Sequence, residues 1–140
     1  MKYEVNPLEG VGLLLFGMDV LQVRVRMDAA FHSFKRTPDA AFPCDHFSDA
    51  GVFANYDKSG RLEAVEMASP AAPMFERCNL LGLGFDQIVT LLKCRDSAIE
   101  LDPDGATSSA LGISLYAPYA AGNPEMPPES VLVFAAGYYN

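Results

Sequence analysis

No apolar run in the chain approaches the ~18 residues needed to cross a bilayer, which argues against a helical membrane span. The N-terminal stretch MKYEVNPLEG has neither the apolar core nor the small-residue cleavage site of a secretory signal. Cysteine is scarce and odd in number, Cys44, Cys78 and Cys94, with no C-x-x-C pair. Reduced thiols and a cytoplasmic location are expected.

Positive charge is also in short supply. Ten Lys and Arg face 18 Asp and Glu, a net charge of -8, so a phosphate backbone and an anionic membrane surface would both repel the chain. Nucleic acid and lipid are not expected partners, whereas a cationic protein surface is an attractive one. At 140 residues the chain is a single domain's worth, long enough to bury roughly two thirds of its unfolded surface in one core.

Catalytic signatures are lacking as well. The chain has no Walker-type phosphate cradle, H-E-x-x-H or G-x-S-x-G, and the spacing of Gly10, Gly12 and Gly17 does not fit G-x-G-x-x-G. No cofactor is expected.

What the chain does have is an echo. GVGLLLFGMD, Gly10 to Asp19, is answered by NLLGLGFDQI, Asn79 to Ile88. Asp19 is a good N-cap, with Gln22 placed to complete a capping box. Val20, Val23, Met27, Ala30, Phe31 and Phe34 then fall within about 100° of one helical face, predicting a helix from Val20 to about Phe34. Asp86 is read as the second cap, with Phe85, Ile88, Leu91 and Leu92 as a shorter stripe. Strand patterns follow each helix: Gly51 to Met67 reads as a hairpin around Lys58-Ser59-Gly60, and Ala98 to Ser109 as another around Pro103-Asp104-Gly105. Alternation over Leu111 to Tyr116 and the apolar run Val131 to Ala136 add two further strands. The expected fold is α+β: one antiparallel sheet with two main helices on one face, built as helix-plus-hairpin repeats over 10–77 and 78–140.

The turn Phe16-Gly17-Met18-Asp19 ahead of a helix resembles the helix-opening motif of BamE/SmpA-like and beta-lactamase-inhibitor-protein-like helix-hairpin repeats. With VFAAGYYN at its end, the chain is also similar to small bacterial proteins of immunity type. These resemblances imply a tandem fold and a protein-binding role. The lipoprotein leader of the outer-membrane members is missing, so membrane-protein assembly does not carry over, and no binding residue is transferred.

Candidate site residues come from irregularities. Lys35 to Ala50 has no clear period, and structureless connections of that length are uncommon unless they bind something or are disordered, with Phe42 and Phe47 arguing against disorder. Its PCDHF stretch brings Cys44, Asp45 and His46 together, with His32 upstream, as metal-ligand or Cys-His nucleophile candidates; the plainer reading is a solvated loop with one pinned aromatic. Leu21 and Val25 lie off the first helix's core stripe. Either the loop folds back so that Phe42 and Phe47 cover them, or this face meets another protein. Tyr138 and Tyr139 are interface-anchor candidates or pack back on the sheet. Glu63 and Glu66, three apart in a strand, should lie on opposite faces and make a poor catalytic pair. Asp102 and Asp104 read as a turn.

Two functions follow. The first is a non-enzymatic, acidic binding module that inhibits or confers immunity to a basic target such as a nuclease toxin, or binds a second copy of itself. The second is an enzyme or small-ligand protein with a pocket near Cys44, His46 and His32.

Overall fold

The computed structural model describes residues 1–139. In chain order the elements are β1 (Lys2–Asn6), β2 (Gly10–Val11), β3 (Leu14–Leu15), α1 (Val20–Met27), β4 (His32–Phe34), β5 (Cys44–Phe47), β6 (Val52–Tyr56), β7 (Leu62–Ala68), β8 (Ala72–Phe75), β9 (Cys78–Asn79), α2 (Phe85–Lys93), β10 (Glu100–Asp102), β11 (Gly105–Ser108), β12 (Ile113–Tyr116) and β13 (Ser130–Phe134). The α+β expectation is overturned. The fold is mostly β, with one sheet of five strands, one of eight, and two helices of only 8 and 9 residues.

The first helix is half the expected length because Asp28 takes a left-handed conformation, φ 46 and ψ 49, and closes it with a hydrogen bond from its backbone N–H to the Arg24 carbonyl. The rest of the expected stripe leaves the helix, and Phe34 belongs to β4 at the sheet edge. Its start is formed by a capping box: the Gln22 N–H donates to Asp19 Oδ1 at 2.8 Å and the Asp19 N–H to Gln22 Oε1 at 2.9 Å. The second helix opens two residues before the expected position. Gly84 is its N-cap, and Asp86 lies inside the first turn. A side chain at Gly84 would meet the Glu125 carbonyl at 2.6 Å, so this close approach requires glycine.

The larger sheet runs β10-β11-β12-β13-β7-β6-β5-β4, antiparallel throughout. Each helix leads into four consecutive strands rather than a hairpin: α1 into β4 to β7, α2 into β10 to β13. The two four-strand meanders join at the centre, where β13 and β7 pair from Ser130 opposite Ala68 to Phe134 opposite Ala64. The smaller sheet, order β3-β2-β1-β8-β9, was not anticipated. Its β2–β3 hairpin is made from the GVGLLL stretch that opens the first half of the echo, and a side chain at Gly10 would run into the Leu14 carbonyl across that hairpin. Tyr3, Val5, Val11 and Leu14 of this sheet join Val23, Ile88 and Leu92 of the helices and Val52, Val65, Met67 and Val133 of the large sheet in one core. All of that packing uses one face of the large sheet.

Candidate functional site: the open face of the large sheet

Register defines both faces of the eight strands. One cross-strand row runs Ser33, Asp45, Ala54, Val65, Val133, Ile113, Ser108, and the next begins Phe47, Val52, Met67, Val131, Leu115, Ala106. The residues named in these rows are buried except the edge residue Ser33, and the second row ends on β10 at Leu101, opposite Ala106, where it is exposed again. The intervening row crosses all eight strands as His32, His46, Phe53, Glu66, Leu132, Ser114, Thr107, Glu100. All eight are at least partly exposed. This second face is open.

The open face is ordered by stacking and charge. The His46 ring lies flat on Phe53, centroids 3.9 Å apart and 5° from parallel, and His32 meets His46 edge-on at 5.2 Å. Burial lowers the His46 pKa, with His32 and Arg36 pushing the same way, so the stack favours the neutral ring. Arg36 reaches over the face from the 35–43 segment. Its guanidinium lies 5.3 Å from the Phe53 ring centroid and donates to Glu66 Oε1 at 3.0 Å. From the other side the C-terminal segment brings Tyr138 onto Phe134, centroids 5.6 Å apart. Between these overhangs lies a cavity of about 260 Å³ lined by Arg36, Asn55, Glu66, Ser114, Tyr116 and Tyr138 among others. A neighbouring one of about 180 Å³ adds Phe42, Cys44 and Glu63 and shares Arg36, Asn55 and Tyr138.

The structure separates the residues that sequence proximity had grouped. Cys44, Asp45 and His46 are successive residues of β5, so their side chains alternate. Cys44 and His46 face the open side, whereas Asp45 points into the core and cannot share a metal with them. Asp45 is fully buried and spent on structure. It accepts from Arg24 Nε and a second Arg24 nitrogen, both at 2.9 Å, from Ser33 Oγ at 2.6 Å and from the Tyr56 hydroxyl at 2.8 Å. Burial pushes the Asp45 carboxyl up, but the hydrogen bonds from Arg24, Ser33 and Tyr56 outweigh it and hold the pKa below the carboxylate norm. Cys44 is buried, and burial raises its thiol pKa against the opposing pull of Arg36. Thiolate is the reactive form, so Cys44 should label with a thiol reagent only on unfolding, while the exposed Cys94 labels at once; mass spectrometry of partially labelled native protein reads the order.

Phe47 is a core residue, 0% exposed, and is no binding residue. Leu21 and Val25 are 70% and 76% exposed, and the loop does not fold over them. Phe42 instead rests its ring on Gly60, in the β6–β7 turn. The 35–50 segment is not structureless, because β5 lies inside it. Tyr138 is half-buried and Tyr139 exposed, and both pack on Phe134.

Sequence reasoning missed Arg36, Phe53, Asn55 and Ser114, and it placed Glu63 wrongly. Asn55 pairs with Ala64 but Tyr56 with Leu62, so Glu63 is an extra, bulged residue. The bulge breaks strict alternation and lets Glu63 and Glu66 line adjoining cavities. No local sequence signal announces a bulge, but the period of two in VFANY was the available signal that Phe53 and Asn55 share a face. No helix among the described residues is long and apolar enough to cross a membrane. Compared with models of known protein families, with curated proteins and with solved structures, the chain matches none.

Proposed function

We propose that the protein is a non-enzymatic binding module that docks a basic protein on the open face of its eight-stranded sheet, in the manner of an inhibitor or immunity protein. The observation that carries this reading is the row from His32 to Glu100: a partly exposed, sheet-wide strip with aromatic rings and carboxylates on it. Buried rings surrounded by polar groups are where binding energy concentrates in interfaces. The net charge of -8 would speed encounter with a cationic partner and select against anionic ones. Three free thiols fit a reducing compartment such as the cytoplasm. The pocket chemistry of Cys44, His46 and His32 gains no support from a buried thiol, a stacked imidazole and a carboxylate turned to the other face.

Site-specific photo-crosslinking separates the two faces offered for docking. A photoreactive residue at Ser114, on the open face, is expected to capture in cells a protein of basic pI, with yield falling as ionic strength rises in lysate. The same residue at Leu21, on the outer side of α1, is expected to capture nothing comparable. Capture at Leu21 alone, or of an acidic protein at Ser114, would reverse the reading.

A further inference from the structure

We infer that the cavity beside the β7 bulge is a subsite for one arginine or lysine side chain of the partner, with Glu63 as its carboxylate and Tyr138 as its wall. The inference rests on the open-face reading above and gives it a point of attachment.

The open face already shows how it holds a guanidinium. Arg36 sits over the Phe53 ring and donates to Glu66, a carboxylate and an aromatic face acting on one cation. Glu63 and Tyr138 offer the same combination in the adjoining cavity of about 180 Å³, which the Asn55 amide and Arg36 also line. Among the described residues, however, no side chain donates to Glu63: Arg36 is engaged with Glu66 at 3.0 Å, and Arg61, which lines the next cavity along, turns to the Gly17 carbonyl at 3.3 Å. Burial and then the nearby Asp57 both push the Glu63 pKa up, the sign of a carboxylate short of positive charge.

The backbone spends something to place this group. Without the extra residue, alternation would send Glu63 toward the apolar core; with it, Glu63 is left unpaired between Leu62, opposite Tyr56, and Ala64, opposite Asn55, and lines a cavity with Asn55. Bulges recur where a side chain must be re-aimed at a site. The bulge is also pinned, because the Glu63 carbonyl accepts from the Ala135 N–H at 2.8 Å and so ties it to the segment carrying Tyr138. That segment connects the cavities, since Tyr138 also lines one of about 420 Å³ with Asp57, Arg61 and Glu63. Glu63 lines both cavities, beside Arg36 in the one and Arg61 in the other, and each of these guanidiniums donates away from it, to Glu66 and to the Gly17 carbonyl.

The test is a titration of isotopically labelled protein at low salt with the blocked peptide acetyl-Gly-Arg-Gly-amide and its citrulline counterpart, which keeps the shape and removes the charge. Expected are chemical-shift changes centred on Asn55, Glu63 and Tyr138 with the arginine peptide, none with citrulline, and a loss of affinity on the order of tenfold in Glu63→Gln. A control, Glu129→Gln, removes an exposed carboxylate elsewhere and should bind as the parent does. Should Glu63→Gln fail to fold, Tyr138→Leu removes the wall instead and is expected to weaken binding. Equal shifts with citrulline, shifts spread over the acidic surface, or undiminished binding by the variants would overturn the inference. If the peptide is silent while Ser114 still crosslinks a basic partner, only the subsite falls; if Ser114 captures nothing, the docking face falls with it.

Discussion

Phe47→Ala is expected to cost about 3–5 kcal/mol, the range for truncating a fully buried aromatic ring. Phe47 has no exposure, sits opposite Val52 in the sheet, and packs at 5.6 Å against Phe31. The loss combines the transfer of the ring with an unfilled cavity, because strands fixed by ladders on both sides cannot collapse into it. A domain of this size has roughly 5–15 kcal/mol in total, so the variant should melt far earlier in urea. Phe42→Ala, by contrast, removes a ring that is 38% exposed and rests on a turn, and is expected to cost about 1 kcal/mol or less. Urea midpoints of the two variants decide the matter: comparable losses would mean that Phe42, not β5, anchors this part of the chain.

The contrast between these two phenylalanines shows where the sequence was readable. Strands with a two-residue alternation and a glycine-marked turn were plain: β6 and β12 fall within the segments read as strands, and β7 and β13 overrun theirs by one residue each. Their period is local, so it survives without knowledge of the neighbours. PCDHF carries no such period, because β5 is covered on one side by core and on the other by Arg36 and the His46–Phe53 stack, leaving it buried at Cys44, Asp45 and Phe47. A strand covered on both sides has no polar face to announce it. The first helix failed in the opposite way. Its stripe continued past Met27 on paper, since residues of an edge strand can satisfy a helical period by coincidence, and only the left-handed Asp28 ended it. The five-stranded sheet was hidden in strands of two to five residues, too short for any period to stand out, although Tyr3 and Val5 in KYEVN do alternate.

The site followed the same logic. Residues adjacent in the chain were grouped as a candidate cluster, whereas a sheet gathers residues by register across strands. His32 and His46 meet because β4 and β5 pair at that position, and Phe53 and Glu66 join them through two further pairings. The nearest of these neighbours in sequence, His46 and Phe53, are seven residues apart. Asp45, the middle residue of the proposed cluster, shows the complement: an ionised group facing the core must find its partners there, and it found Arg24 of α1.

That pairing has a pH-dependent consequence. Arg24→Met, which keeps the stem and removes the charge, is expected to destabilise the fold by about 3 kcal/mol near neutral pH, because it leaves the fully buried Asp45 with only Ser33 and Tyr56 as donors. In the parent protein the Asp45 pKa lies below its unfolded value, so the stabilisation is complete above about pH 4 and is lost as pH falls through the lowered folded value. In the variant the principal opposing hydrogen bond is gone while burial remains. The folded pKa then rises above the unfolded one, the penalty is greatest at neutral pH, and protonation relieves it on acidification. The stability gap between parent and variant should therefore narrow from pH 7 toward pH 4 in paired urea melts. A gap that stays constant over that range would mean that Asp45 does not carry the linkage and that the loss comes from the packing of the Arg24 guanidinium on Phe31, 4.4 Å from the ring centroid.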